Sequence, residues 1–127
     1  MRLIAYARVS TGDQQTIENQ VEKIRTYCEL HDHELTGVFL DEGVSGKNTN
    51  RPGLTGAIKA LTGADGIVIT KLDRLSRSIR DWCNLMEQFD RKSKALVSVY
   101  DSIDTSTASG RMIANMFATI AQWERET

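Results

Sequence analysis

The sequence predicts an α/β domain with a mostly parallel central sheet of four to five strands. Short apolar runs alternate with longer stretches whose apolar residues recur at helical spacing. Residues 66–70 form a nearly continuous apolar run, which is typical of a central parallel strand covered on both faces. Strands that alternate with helices in this way favour a parallel sheet with right-handed crossovers.

The first strand is predicted at residues 3–10, where alternation places Arg8 and Ser10 on the same side near its carboxyl end. Thr11 and Gln14 are a candidate capping box for the helix that follows, which runs from Ile17 to about His31. The other predicted elements are a strand at residues 35–40, a helix at 52–63, a strand at 66–70, a helix carrying Ile79 to Phe89, a strand at 95–100, a short edge strand near Ile103, and a last helix that begins at 108–110 and reaches the final residue.

The chain of 127 residues indicates one domain with a single core. A net charge of -1 is unlike that of a free-standing nucleic-acid binder, which is usually basic. Cys28 and Cys83 form neither a metal-ligand spacing nor a disulfide framework, so we expect a reducing, cytoplasmic location. Because no apolar run approaches membrane-spanning length and no signal peptide is visible, we expect no membrane association.

One hydroxyl, one carboxylate and several cationic groups lie near the carboxyl ends of the predicted strands or in the loops between them. Parallel sheets bind ligands outside these ends, where the strand order reverses. If the first strand lies beside residues 66–70, Ser10 faces the turn that carries Asp73 and Arg74. Guanidinium groups bind phosphate oxygens through paired hydrogen bonds, and Ser10 would be the nucleophile of a phosphoryl transfer. The full set is Arg8, Ser10, Arg51, Lys71, Asp73, Arg74 and Arg77.

Several of the candidate residues also have a simpler interpretation. Ser10 alone is an ordinary turn residue, and Arg8 alone is a solvated or ion-paired side chain. Asp73 and Arg74 are also explained as a cap and an ion pair at a helix start. Ser45 is most simply a loop residue, and Gln20 is most simply a solvent-facing residue of the first helix.

Several kinds of site are disfavoured by motifs that the sequence lacks. There is no Gly-x-Ser-x-Gly elbow for acyl transfer and no phosphate-binding loop of the nucleotide hydrolases. His31 and His33 lie at the far end of the first helix from Ser10, which argues against a Ser-His-Asp arrangement. The acidic residues do not cluster as metal ligands would.

The last helix carries more apolar surface than an edge helix of a small domain needs. Met112, Met116, Ile120 and Trp123 form one stripe. A second stripe beside it contains Ile113, Phe117 and Ala121. This width predicts that the helix packs against another protein chain. The alternative is a helix buried deeply within its own domain.

Five motifs occur in one order, and together they are far more specific than any one alone. They are residues 6–10 (Tyr-Ala-Arg-Val-Ser), 41–46 (Asp-Glu-Gly-Val-Ser-Gly), 51–54 (Arg-Pro-Gly-Leu), 71–77 (Lys-Leu-Asp-Arg-Leu-Ser-Arg) and 124–125 (Glu-Arg). The set closely resembles the catalytic domain of the serine site-specific recombinases, the family of resolvases, invertases and large serine integrases. The resemblance covers residues 3–126 and leans toward the integrase branch.

The resemblance implies that Ser10 attacks a DNA phosphodiester and forms a 5′-phosphoserine link with a free 3′-hydroxyl. Arg8, Arg74 and Arg77 match the arginines around the scissile phosphate, and Asp73 matches the active-site aspartate. The remaining implied roles fall into two groups. Supporting positions are Gln20, Ser45, Arg51, Lys71 and Arg125, of which Lys71 either contacts DNA or only flanks the strand. Glu124 joins the apolar residues Met112, Ile113, Met116, Phe117, Ile120 and Trp123 at the expected oligomer interface.

The resemblance further implies a three-layer resolvase-like fold that ends in a long helix, and assembly through that helix into a homodimer and a homotetramer on double-stranded DNA. It implies no cofactor and no metal. We expect residues 1–127 to be the N-terminal catalytic domain, with the last helix truncated and the DNA-binding region absent, and to bind DNA weakly. The alternative function is a phosphate-binding regulatory or oligomerisation module without chemistry.

Overall fold

The computed structural model describes residues 1–9, 16–43, 51–75 and 79–126. These residues form a five-stranded sheet with helices on both of its faces. The strands are β1 (Arg2–Val9), β2 (Glu34–Glu42), β3 (Gly66–Ile69), β4 (Ala95–Ser98) and β5 (Ile103–Asp104). The helices are α1 (Ile17–Leu30), α2 (Pro52–Ala60), α3 (Leu72–Leu75), α4 (Ile79–Arg91) and α5 (Ala108–Glu126).

The sheet has the order β2-β1-β3-β4-β5, which confirms the predicted α/β class. The first four strands are parallel, and β5 runs antiparallel to β4 as a short edge strand. As expected, β1 lies beside β3, with Leu3 opposite Gly66. Because the chain leaves β1 for β2 on one side and returns to β3 on the other, the strand order reverses at the carboxyl end of β1.

Alternation along β1 builds two cores, one on each face of the sheet. Leu3 and Ala5 pack with Ile24 of α1 on one face. Ile4 and Tyr6 pack on the opposite face, in the cluster that contains residues of α2, α4 and α5. The domain therefore has three layers, and among the described residues α1 supplies the helical side chains of the smaller core.

Two helix ends differ from their predicted form. The N-cap of α1 is Thr16, whose hydroxyl accepts the Asn19 amide at 3.1 Å, whereas Thr11 and Gln14 lie outside the described residues. Helix α2 begins with Pro52 and ends at Ala60, after which residues Leu61–Gly63 form a tighter 3₁₀ turn. Gly63 therefore closes the turn and not the α-helix itself.

Helix α5 begins in close contact with β5. A Cβ atom at Gly110 would lie 1.9 Å from the carbonyl oxygen of Asp104, so the helix approaches β5 closely only because residue 110 has no side chain. The hydroxyl of Thr107 accepts the Gly110 amide at 3.1 Å, and Arg111 forms an ion pair with Asp90 of α4. These contacts fix the first turn of α5 on the body of the domain.

Beyond its first turn, α5 leaves one apolar stripe in solvent. Met112, Met116, Ile120 and Trp123 are 61%, 58%, 44% and 63% exposed, whereas Ala114 is buried in the core. The alternative of a deeply buried helix is therefore wrong for this stripe. Ile113 is half-buried, and the side chains of Phe117 and Ala121 lie outside what the structure describes. Within the described ranges, no helix is both long enough and apolar enough to cross a membrane.

Candidate active site

Two buried arginines join the end of β1 to α3. Arg8 donates from Nε to the carbonyl oxygen of Arg74 at 3.1 Å, and Arg74 donates from Nη1 to the carbonyl oxygen of Arg8 at 3.3 Å. Their side chains are 0% and 5% exposed. The two guanidinium groups thus lie together where the strand order reverses, in the place that the sequence predicts for a ligand.

Gln20 of α1 also binds the carbonyl oxygen of Arg8, from the other face of the sheet. Its Nε2 donates to the carbonyl oxygen of Arg8 at 3.1 Å, and its side chain is fully buried. The simpler interpretation of Gln20 as solvent-facing is therefore wrong, because its face of α1 packs against the sheet together with Ile24 and Cys28. This bond fixes the backbone of β1 two residues before Ser10, as a supporting residue would.

Asp41 joins three parts of the site, although sequence analysis did not single it out. The buried carboxylate accepts the hydroxyl of Tyr6 at 2.8 Å and the backbone amides of Gly53 and Leu54 at 2.8 and 3.0 Å. These amides belong to the first turn of α2 and have no acceptor within the helix. Asp41 therefore caps α2 from a neighbouring strand.

The close docking of α2 on β2 depends on Gly53. A Cβ atom at that position would lie 2.2 Å from the carbonyl oxygen of Leu40. Both Tyr6 and Asp41 belong to sequence motifs of the resemblance, but a hydrogen bond between residues 35 positions apart leaves no periodic signal in the sequence. Only the register of β1 against β2 brings them together.

The Tyr6 phenol stays protonated at physiological pH and therefore remains a hydrogen-bond donor to Asp41. Burial raises the pKa of the Tyr6 phenol well above its usual value, and the hydrogen bond to the Asp41 carboxylate raises it further. The positive charges of Arg51 and Arg8 lower this pKa and so offset part of the rise. The hydroxyl therefore donates to Asp41 throughout the physiological pH range.

Arg51 brings a third buried guanidinium group to this end of the sheet. It occupies the N-cap position of α2, is 5% exposed, and pairs with Asp81 of α4 through Nη2 at 3.6 Å. Its Nη1 has no hydrogen-bond partner in the part of the chain that the structure describes. A buried donor without a partner costs about 1–3 kcal/mol, which an anionic ligand would recover. The predicted supporting role of Arg51 fits this geometry.

Lys71 differs from the arginines because its side chain is exposed. Its Nζ lies 5.6 Å from the centre of the Tyr100 ring, which is a cation–π contact. The amide of Leu72, the next residue, donates to the carboxylate of Asp101 at 2.8 Å. The structure thus places Lys71 against Tyr100, and its predicted supporting role stays a prediction. Asp101 is a second carboxylate that the sequence alone did not single out.

Several predicted site residues cannot be placed against this geometry. Ser10, Ser45 and Arg77 lie outside the described residues. The side chains of Asp73, Glu124 and Arg125 also lie outside them, although their backbone belongs to α3 and α5. The structure therefore brings Arg8, Arg74, Gln20 and Arg51 to the same end of the sheet, and the roles of all the predicted site residues stay predictions. Among the described side chains, no group of three His, Cys, Asp or Glu residues is arranged to hold a metal ion.

The cluster is suited to binding a phosphate group. Guanidinium groups buried at a sheet edge act in a low dielectric, where their attraction for an anion is much larger than in water. Arginine also presents paired donors that match two phosphate oxygens. An arginine cluster at the switch point of a parallel sheet therefore has the kind of donor groups that phosphate binding requires.

Comparison with known proteins identifies the class. The family model described as the resolvase N-terminal domain matches residues 3–127, and the chain belongs to this family. A DNA-invertase of Enterobacteria phage P7 is 40% identical over 124 residues, which are 98% of this chain and 62% of the relative. The Tn917 transposon resolvase of Enterococcus faecalis is 36% identical, with 98% of this chain and 63% of the relative covered. The chain thus spans somewhat less than two thirds of the length of these relatives.

A solved structure agrees with this assignment. The N-terminal catalytic domain of TP901-1 integrase superposes with a TM-score of 0.91 at 33% identity, with 99% of this chain and 98% of that chain covered. The match extends over the whole domain and so confirms the resolvase-like fold that the motifs predicted.

Proposed function

We propose that this chain is the catalytic domain of a site-specific recombinase that cuts and rejoins double-stranded DNA through Ser10. The observation that carries the proposal is the buried pair Arg8 and Arg74, which meets at the end of β1, two residues before Ser10. The names of the relatives support it, since they are called an invertase, a resolvase and an integrase.

In the proposed reaction the hydroxyl oxygen of Ser10 attacks a phosphorus atom of the DNA backbone. The new bond joins that oxygen to phosphorus as the hydroxyl gives up its proton, the bond from phosphorus to the 3′-oxygen breaks, and the leaving oxygen takes up a proton to become the 3′-hydroxyl. The product is a 5′-phosphoserine link that conserves the energy of the broken bond. Rejoining is the reverse attack by a 3′-hydroxyl, so no nucleotide is consumed.

The proposed roles follow the positions of the side chains. Arg8 and Arg74, with Arg77, would stabilise the extra negative charge that develops on phosphorus, and losing one such contact costs about 2–4 kcal/mol of barrier. Asp73 would be the active-site carboxylate. Supporting roles would belong to Gln20, Ser45, Arg51, Lys71 and Arg125. The proposed substrate is double-stranded DNA, and the proposed place of action is the cytoplasm.

Assembly is proposed to use the exposed stripe of α5. Four large apolar side chains along a single helix face are unusual on a surface that stays in water. A second copy of the chain would cover Met112, Met116, Ile120 and Trp123, and Ile113, Phe117 and Glu124 would border the contact. We propose a homodimer on each DNA site and a homotetramer when two sites are brought together.

The proposed chemistry is tested by trapping the covalent intermediate. The natural gene product that carries this chain is incubated with duplexes that it selects from a random-sequence pool, and protein–DNA adducts are counted after denaturation. We expect an adduct with the native protein and none with Ser10→Ala. Binding of the same duplex by both proteins with no adduct from either would contradict the proposal and favour a phosphate-binding module.

A further inference from the structure

One carboxylate ties α3 to the end of β4. Asp101 lies in the turn after β4, and its Oδ2 accepts the amide of Leu72 at 2.8 Å and the hydroxyl of Ser98 at 2.7 Å. Leu72 is the first residue of α3, so its amide has no acceptor within the helix. The carboxylate of Asp101 thus fixes the point at which α3 begins.

The position of α3 decides where Arg74 lies. The helix has four residues, and Arg74 follows Leu72 by two positions. Arg74 in turn exchanges two hydrogen bonds with Arg8, one through its guanidinium group and one through its carbonyl oxygen. Because so short a helix has almost no internal hydrogen bonds, a shift of its first residue is passed on to Arg74.

The turn that carries Asp101 is itself held firmly. The amides of Val99 and Tyr100 donate to the carbonyl oxygens of Ile69 and Thr70 at 2.9 and 2.8 Å, so that the chain after β4 stays paired with the end of β3. Ser98, which donates to Asp101, is 1% exposed. Hydrogen bonds to the end of β3 and to Ser98 therefore hold the carboxylate in the position from which it binds the first amide of α3.

We propose that Asp101 is a positioning residue of the DNA cleavage reaction: it holds α3 so that Arg74 meets Arg8 beside the reacting phosphate. The inference rests on the proposed function for the reaction that it serves. Asp101 acts on Arg74 through the amide of Leu72 and the backbone of α3. Its loss should therefore slow cleavage without weakening the binding of DNA.

The chain offers a matched control three residues further on. Asp104 accepts the amide and the hydroxyl of Ser106 through Oδ1 at 2.9 and 2.6 Å. It thus makes the same two kinds of hydrogen bond as Asp101, but within its own turn. A general loss of turn stability would appear in both variants, whereas a loss of positioning would appear only at Asp101.

The experiment measures two quantities on the natural gene product, with a duplex selected from a random-sequence pool. One is the Kd for the duplex, and the other is the single-turnover rate of adduct formation at saturating protein. Asp101→Ala should lower the rate about 10- to 100-fold, because a displacement of the order of 1 Å has such an effect on a reacting geometry. Its Kd should stay within about twofold of the native value. Asp101→Asn keeps one acceptor oxygen and should recover part of the rate, and Asp104→Ala should react at the native rate.

Amide hydrogen exchange of Leu72 supplies a readout that does not depend on activity. Exchange should accelerate in Asp101→Ala and stay native in Asp104→Ala. If Asp101→Ala does not fold, Ser98→Ala removes the hydroxyl that donates to Asp101 at 2.7 Å, together with its longer contact to the carbonyl oxygen of Thr70 at 3.4 Å. This variant leaves the bond between Leu72 and Asp101 in place and should still slow adduct formation at unchanged Kd.

Three results would overturn the inference: a native rate in Asp101→Ala, an equal loss of rate in Asp104→Ala, or unchanged exchange of Leu72 in Asp101→Ala. The failure of the proposed function looks different, since the native protein itself would then form no adduct while Leu72 exchange still responded to Asp101→Ala.

Discussion

Tyr6 and Asp41 form a deeply buried polar contact between two strands near the arginine cluster. Asp41 is 3% exposed and Tyr6 is fully buried, and the carboxylate is satisfied by one hydroxyl and two backbone amides. A buried carboxylate with this many donors stabilises the fold, whereas the same group without them would destabilise it strongly. The pair therefore sets the stability of α2 and, with it, the position of Arg51.

Stability at alkaline pH should depend on Tyr6. The folded state holds the pKa of Tyr6 above the unfolded value of about 10, so above that pH the folded state binds more protons than the unfolded state. The free energy of unfolding contributed by Tyr6 is present below about pH 10 and is lost as pH rises further. Tyr6→Phe should cost about 1 kcal/mol near neutral pH and should flatten the fall above pH 10.

Urea unfolding at a series of pH values from neutral to alkaline measures this difference. Tyr100→Phe, which removes a hydroxyl from a ring that is 45% exposed, is the control and should keep the alkaline loss that Tyr6 causes. An equally steep fall in Tyr6→Phe would show that another group is responsible.

At the scale of elements, two glycines set how closely a helix approaches the sheet. Gly53 brings α2 onto β2, and Gly110 brings α5 onto β5. In both places an added Cβ atom would meet a backbone carbonyl oxygen, which cannot move aside as the end of a flexible side chain can. For each helix, the distance to its strand is therefore set by backbone contact at a single glycine.

Gly110→Ala should destabilise the domain by about 1–3 kcal/mol, since the added methyl group has to displace α5 from β5. Gly63→Ala is the control: nothing lies within 4 Å of the Cβ position there, so its stability should equal the native value or exceed it by about 0.5 kcal/mol. Urea unfolding of both variants makes the comparison. Equal stabilities would contradict the close contact between α5 and β5.

The elements were predictable because their signals are local. The apolar run of β3 and the helical spacing in α4 are visible within a dozen residues, and the switch point follows from the strand order of a parallel sheet.

The site was predictable only in part. Arg8 and Arg74 belong to two recognisable motifs, but the roles of Gln20, Asp41 and Asp101 arise from hydrogen bonds between residues 12 to 35 positions apart. Periodicity in a sequence does not reveal contacts between residues that are so far apart along the chain.

At the scale of the whole molecule, the exposed stripe of α5 should drive self-association. Met112→Lys combined with Met116→Lys places two charges on it and should convert an assembled chain into a monomer with unchanged thermal stability, since these side chains are 61% and 58% exposed. Leu30→Lys, at a side chain that is 77% exposed on α1, is the control and should leave the assembly intact. Sedimentation equilibrium measures the mass of each. A native chain that stays monomeric at high concentration would contradict the proposal.

Two carboxylates near the arginines, those of Asp41 and Asp101, accept backbone amides at the first turns of α2 and α3. They contribute to a net charge of -1, so the long-range electrostatic attraction between the chain and a polyanion is close to zero. At physiological ionic strength the attraction from Arg8, Arg74 and Arg51 fades within about 8 Å. If the proposed function holds, these guanidinium groups would therefore bind a phosphodiester that is already at the site and would do little to attract DNA from solution.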